Sequence, residues 1–112
     1  MQEEIAPFSD EWDDKKKIPT ERMAEIGDKG FLTLMCGFKW PKEYFPEIVV
    51  GGVEIKNKNY FHEAVVIEES VKHASNGLIW GLGSVAIGLP PLYNNGSDEL
   101  KKKYVEPVLR GQ

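Results

Sequence analysis

Apolar residues recur at helical spacing in five stretches of the chain, and no stretch alternates apolar and polar residues convincingly as a strand does. The predicted helices cover residues 3–17, 20–27, 60–73 and 76–89, and a fifth follows residue 97. Amphipathic helices without strands bury their apolar faces against one another. The pattern therefore predicts an all-α domain, a helical bundle of about five helices.

The third predicted helix has the clearest stripe. Tyr60, Ala64, Ile67 and Val71 follow one another in steps of four, three and four residues, which places them on one face. Asn59 precedes them and is a favoured N-cap. We expect this stripe to face the core.

The fourth predicted helix, 76–89, is apolar nearly all round, which is typical of a helix buried on every side. Four glycines interrupt it at positions 77, 81, 83 and 88. Each interior glycine costs about 0.5–1 kcal/mol relative to alanine but lets a backbone or a ligand approach closely. Core packing and the wall of a ligand pocket both account for this composition.

The last predicted helix begins at a Gly-Ser-Asp turn. Ser97 is its N-cap, and Asp98 and Glu99 lie in its first turn, where negative charge favours the helix dipole. Pro107 is expected to kink this helix or begin a new turn. Its expected inward residues are Leu100, Tyr104 and Val108. The turn lacks the glycines and the lysine of a phosphate-binding loop, so capping explains it.

Residues 33–59 are irregular in pattern and contain Pro41, Pro46 and the pair Gly51-Gly52. A loop of this length inside a compact domain is unusual and is often functional or specific to a subfamily.

Composition narrows the function classes. The 112 residues have room for one domain, and their formal net charge of −4 argues against a nucleic-acid-binding surface. Residues 74–97 carry no charge, but the glycines and Pro90-Pro91 break this run, so we expect no membrane span. The acidic start shows no targeting peptide. The compartment is not determined, although the single Cys36 suits a reducing intracellular one, mitochondrial, peroxisomal or cytoplasmic.

Candidate catalytic groups do not form a set. His62 and His73 are eleven residues apart, about 16 Å along a helix, and cannot share a metal. Glu63, Glu68 and Glu69 have the pattern of exposed helix carboxylates. Cys36 excludes an intrachain disulfide and has no neighbouring histidine in sequence to activate it. The residues alone therefore predict a helical domain without catalytic or metal-binding residues of its own.

Both ends of the chain resemble the N-terminal helical domain of the acyl-CoA dehydrogenase family. The opening EIAPFSDEWDDKKKIPTERMAEIGDKGF matches the family pattern at Pro7, Trp12, Asp13, Ile18, Pro19, Ile26, Gly27, Gly30 and Phe31. The end matches it at Gly88, Pro91, Gly96, Ser97, Glu99, Leu100, Lys101, Lys103, Tyr104, Pro107, Leu109 and Gly111. The segment HEAVVIEESVKH resembles a helix of the same domain. The longer loop around CGFKWPKEYFPE departs from the pattern and points to a divergent subfamily.

The resemblance implies an FAD-dependent enzyme that oxidises the CH–CH bond of an acyl-CoA. In that family a glutamate outside this domain removes the α-proton while FAD accepts the β-hydride. FAD is held by a middle β-domain and a C-terminal helical domain, and neither matches residues 1–112. The resemblance thus assigns no catalytic, cofactor-binding or metal-binding residue to this chain. Acyl-CoA, an electron-transfer partner and a homo-oligomer are expected of the full-length enzyme.

The resemblance also implies part of an acyl-chain channel. Alignment back from Gly88 and Pro91 places five residues on channel-lining positions: Ile79, Trp80, Gly83, Ser84 and Ile87. Trp80 would shorten or redirect the channel, unless it is an ordinary core residue. Two alternatives stay open: an inactive truncated module that acts through protein–protein interaction, and a relative among the acyl-CoA oxidases or nitroalkane oxidases.

Overall fold

The chain is predominantly helical, as a computed structural model describing residues 3, 5–37 and 39–112 shows, and the predicted all-α class is confirmed. A 3-10 turn (Ala6–Phe8) precedes α1 (Ser9–Asp14), α2 (Thr20–Asp28), α3 (Phe31–Met35), α4 (Tyr60–His73), α5 (Asn76–Gly83), α6 (Val85–Asn95) and α7 (Asp98–Leu100), and a π-helical turn (Lys101–Val105) leads into α8 (Glu106–Leu109). Glu4 of the first predicted helix and Phe38 of the long loop lie outside the described residues.

A small hairpin lies inside the segment predicted to be irregular. Strand β1 (Val49–Val50) pairs antiparallel with β2 (Val53–Glu54). Gly51 and Gly52 connect them with φ of 57° and 82°. Positive φ at both central residues is what a two-residue hairpin turn requires, and glycine adopts it without strain. The expectation of no strand is therefore wrong for these four residues.

The short helix α3 lies at the centre of the fold and packs against α2, α4, α5 and α6. Leu32, Leu34 and Cys36, from α3 and its C-cap, each belong to a different apolar cluster. The clusters comprise Ile5, Trp12, Ile26, Leu32, Leu78 and Leu82; Cys36, Leu89, Val105 and Leu109; and Leu34, Trp40, Val50 and Val66. The core is thus assembled around one segment of five residues.

Helix α4 has the predicted bounds and the predicted Asn59 cap, but its predicted inward stripe is wrong. The exposed fractions of three stripe residues are 78% for Tyr60, 55% for Ile67 and 65% for Val71. The inward face instead carries Glu63, Val66 and Ser70. Lys58 pairs with Glu63 at 3.0 Å, and the Ser70 hydroxyl donates to the Val66 carbonyl at 2.7 Å. These partners make a mixed face compatible with burial.

The C-terminal helical run begins as predicted, with the Ser97 hydroxyl accepting from the Leu100 amide. Its inward face is shifted by one position, because Val105 and Leu109 are fully buried while Leu100 and Tyr104 are 43% and 44% exposed. The π-helical turn explains the shift, since its i→i+5 bonds insert one residue into the helical repeat.

Candidate functional site

The five residues predicted to line a channel lie on α5, on α6 and at the junction between them. The predicted helix 76–89 is in fact two helices, and the second continues past Pro90 and Pro91 to Asn95. Ile79, Trp80 and Gly83 belong to α5, Ser84 is the junction, and Ile87 belongs to α6. Ser84 keeps right-handed helical φ and ψ, so the axis direction changes little from α5 to α6.

Three of these residues share one open face. Trp80, Ser84 and Ile87 are spaced by four and three residues, and all three are exposed, Trp80 at 68% and Ile87 at 66%. Ile79 and Gly83 are half-buried at its edge, and a Cβ on Gly83 would lie 3.7 Å from Met35 Cε. The expectation that this helix is buried on every side is therefore wrong.

The open face is almost entirely apolar. No charged residue occurs from Ala74 to Ser97. Between Gly77 and Ile87 the face has one polar side chain, Ser84, whose hydroxyl donates to the Gly81 carbonyl at 3.2 Å. An apolar face with its hydroxyl already satisfied is suited to contact with a hydrocarbon chain or another apolar surface.

A cavity of about 460 Å³ lies on another side of α5. Gly77, Leu78 and Gly81 form one wall, and the α1–α2 region forms the other. The residues from that region are Trp12, Asp13, Lys16, Lys17, Ile18 and Met23. This cavity was not predicted from the sequence, although the spacing of Gly77 and Gly81 indicated close approach to α5.

The long loop forms one side of a second groove, of about 640 Å³, next to the start of α4. Lys39, Lys42 and Lys56 line it, together with the Lys58–Glu63 pair. Tyr93 donates to a Glu43 carboxylate oxygen at 2.8 Å. Burial and this neighbouring carboxylate raise the pKa of Tyr93 to about 12. Its phenol is a structural donor at neutral pH.

Cys36 is a buried, protonated thiol. Its sulfur contacts the carbonyl oxygens of Leu32 and Val85 at 3.4 and 3.8 Å. Burial raises its pKa to about 12, outweighing the nearby Lys58 charge. A thiol held in this form is a poor nucleophile, as expected from the sequence.

The two histidines have local roles. His62 Nδ1 accepts from the Asn59 amide at 3.2 Å and completes the cap of α4, while His73 lies 3.4 Å from Glu69. Within the described part of the chain, no three His, Cys, Asp or Glu residues cluster as metal ligands would. In the same residues, every helix is too short or too polar to cross a membrane.

Comparison with known proteins identifies the family of this chain. The family defined as "Acyl-CoA dehydrogenase, N-terminal domain" matches residues 1–112. The chain belongs to the acyl-CoA dehydrogenase family. The apolar α5–α6 face thus lies in the N-terminal domain of a family of oxidoreductases.

Relatives in the acyl-CoA dehydrogenase family match over nearly the whole chain. The chain is 28% identical to "Acyl-CoA dehydrogenase AFT10-1" of Alternaria alternata over 100% of its length and 34% identical to "3-(aryl)acrylate reductase" of Clostridium sporogenes over 99%. It is 29% identical to "Glutaryl-CoA dehydrogenase" of Desulfococcus multivorans over 94%. These alignments cover 26%, 26% and 24% of the respective relatives, so the chain spans about a quarter of their length. No solved structure matches significantly.

Proposed function

We propose that residues 1–112 form the N-terminal helical domain of an FAD-dependent oxidoreductase that acts on the CH–CH bond of an acyl-CoA. Membership in the acyl-CoA dehydrogenase family supports the reaction class. In this proposal, the middle β-domain and the C-terminal helical domain are not part of these residues. Acyl-CoA, the electron-transfer partner and self-assembly are attributed to the whole enzyme.

The contribution proposed for this domain is one wall of the acyl-chain channel. The observation that carries it is the uncharged α5–α6 face, on which Trp80 and Ile87 are two-thirds exposed. Acyl-chain pockets are lined predominantly by apolar and aromatic side chains. Ser84 lies between the two large residues, and Ile79 and Gly83 border the face.

The α5–α6 face does not fit a flavin by itself. Between Gly77 and Ile87, the face offers the single hydroxyl of Ser84, which already donates to Gly81. A flavin pyrophosphate needs several converging donors, typically including backbone amides at a helix N-terminus. In this proposal, the hydride chemistry that FAD supplies belongs to segments outside these residues.

The proposal is tested with the purified 112-residue chain. We expect no flavin absorbance near 450 nm after purification with added FAD, and no acyl-CoA dehydrogenation with an artificial electron acceptor. Fusion to segments that correspond to the other three-quarters of the relatives' length is expected to give both flavin absorbance and acyl-CoA dehydrogenation. A yellow, reducible 112-residue chain would contradict the assignment of flavin binding to other segments. A fused protein that binds FAD but oxidises no acyl-CoA would contradict the reaction class.

The fused protein also separates the superfamily alternatives. An acyl-CoA oxidase would transfer its electrons to oxygen with stoichiometric peroxide. A nitroalkane oxidase would turn over nitroalkanes instead of acyl-CoA. We propose neither as the main function, and peroxide and substrate assays distinguish both from a dehydrogenase.

A second candidate function is an interaction module without enzymatic activity. The exposed apolar residues of α4 favour it, because Phe61 is 83% and Val65 58% exposed beside the Tyr60–Val71 stripe. Surfaces of this kind mark association sites. Sedimentation equilibrium of the 112-residue chain tests it. A stable dimer that Phe61→Glu dissociates would support a module, whereas a monomer at all concentrations would contradict self-association.

A further inference from the structure

The cavity between α5 and the α1–α2 region has an apolar base. Trp12 and Leu78 are 5% and 2% exposed, and Ile18 and Met23 are half-buried at its sides. Its volume of about 460 Å³ lies within the roughly 300–1,000 Å³ typical of small-molecule sites. A concave, predominantly apolar lining is the environment in which a small molecule can bury its surface.

Two glycines, Gly77 and Gly81, line this cavity for different reasons. A Cβ on Gly81 would lie 3.2 Å from Ile18 Cδ1, and a Cβ on Gly77 would lie 2.3 Å from Asp13 Oδ1. Gly77 is therefore explained by the Asp13 carboxylate, which approaches the first turn of α5. Gly81 meets only the tip of a flexible side chain, so close backbone packing does not account for it. A glycine here leaves room beside Ile18.

The exposed residues of the cavity give it a positive charge. Lys16 and Lys17 line it and are solvent-exposed, and neither has an ion-pair partner among the described residues. Asp13 is the one acid in the lining, so the formal charge is +1 (two lysines and one aspartate), in a chain of net charge −4. Two unpaired ammonium groups beside an apolar cavity are complementary to an anionic head on an apolar body.

We propose that this cavity binds an anionic amphiphile, a medium-chain fatty carboxylate, with its hydrocarbon chain against Trp12, Leu78 and Gly81. Its carboxylate lies beside Lys16 and Lys17. This site is separate from the α5–α6 face, because Trp80, Ser84 and Ile87 do not line it. The proposal does not rest on the proposed enzymatic function, and it applies to the 112-residue chain as it is.

Decanoate is the probe, titrated below its micellar concentration into the 112-residue chain by calorimetry and by amide chemical shifts. We expect one molecule per chain, with shifts centred on residues 12–18 and 77–81. Decanol, which has the same chain without the charge, is expected to bind at least about ten-fold more weakly at low salt. Saturation absent below the micellar concentration would overturn the proposal, as would equal affinity for decanol.

Matched variants locate the site. Gly81→Leu fills the space beside Ile18 and is expected to weaken decanoate binding about ten-fold or more. Gly88→Leu is its control, because a side chain on Gly88 meets open space. Equal effects of the two substitutions would overturn the assignment.

The surface variant Lys16→Gln/Lys17→Gln keeps the apolar lining and tests the charged end without risk to the core. It is expected to weaken decanoate binding several-fold and to bring the affinity for decanoate close to that for decanol. Lys102→Gln/Lys103→Gln, in the π-helical turn, is its control and is expected to change neither affinity. Retention of full decanoate affinity without Lys16 and Lys17 charges would overturn the proposed orientation of the ligand.

Discussion

Gly27 of α2 lies against the backbone at the end of the described chain. A Cβ at this position would lie 2.3 Å from the Arg110 carbonyl carbon and 2.6 Å from the Gly111 nitrogen. Gly111 in turn has φ of 75°, and a Cβ on it would lie 2.1 Å from the Met23 carbonyl oxygen. This contact between two backbones requires glycine on both sides, because neither backbone can move aside as a side-chain end can.

We therefore predict that Gly27→Ala lowers the free energy of unfolding by about 2–4 kcal/mol, as overpacking against a fixed backbone does. Gly88→Ala is the control, since it has open space and removes a helix-interior glycine. It should raise the free energy of unfolding by about 0.5–1 kcal/mol. Urea denaturation measures both. A Gly27→Ala variant as stable as the parent would contradict the close contact.

The buried Cys36 thiol should make stability depend on pH in alkaline solution. Its folded pKa is raised to about 12 from the usual 9.0, because burial disfavours the thiolate. Above pH 9 the unfolded chain releases a proton that the folded chain keeps. The stabilisation present below pH 9 therefore falls by about 1.4 kcal/mol per pH unit towards pH 12.

Cys36→Ala isolates this contribution from the other groups that titrate in this range. The parent is expected to lose stability more steeply than the variant between pH 9 and 11 in urea denaturation. A thiol reagent should label the folded parent at pH 8 only as fast as the chain opens. Parallel stability curves for the two proteins would contradict the raised pKa.

At the scale of elements, local signals predicted where helices begin more reliably than which face each one buries. Asn59 and Ser97 are the N-caps of their helices as expected, because capping depends on neighbouring residues only. The hydrophobic stripe of α4 predicted the wrong face. The apolar pattern places Glu63 on the outward side because it is polar, whereas in the structure Lys58 pairs with it and allows its burial. The Gly51-Gly52 pair is typical of a two-residue hairpin turn, but the long irregular segment around it favoured a loop instead.

The Lys58–Glu63 pair is accordingly predicted to hold α4 in its observed orientation. The Lys58 side chain is 7% exposed, and its ammonium also donates to the Cys36 carbonyl. Lys58→Met would leave the Glu63 carboxylate, 17% exposed, without this partner. We expect a loss of about 3 kcal/mol in the free energy of unfolding.

A double-mutant cycle with Glu63→Gln should return a coupling energy of at least about 1 kcal/mol. The matched control is Lys15→Met, which breaks an exposed pair with Glu11, and its cost should stay below about 1 kcal/mol. Additive effects of Lys58→Met and Glu63→Gln would show that the pair does not fix the helix face.

For the whole molecule, family and fold class were accessible from sequence, whereas the form of the candidate site was not. The resemblance depended on an ordered set of residues at both ends of the chain, glycines and prolines among them. The exposure of Trp80 and Ile87 depends on how α5 and α6 rest on α3, which is a property of the packed chain. The cavity beside Gly81 likewise requires Trp12 and Leu78, which are 66 residues apart, to meet in one cluster.

The proposed role of Trp80 is testable only in the whole enzyme, in which this domain is joined to the remaining three-quarters found in relatives. An exposed indole on a channel wall limits the length of acyl chain that fits, so Trp80→Ala should favour longer substrates. The ratio of kcat/KM for a long acyl-CoA to that for a short one is expected to rise about ten-fold. Phe61→Ala, which truncates an exposed aromatic on α4, should leave this ratio unchanged. If both variants kept the parent's chain-length profile, the α5–α6 face would not be a channel wall.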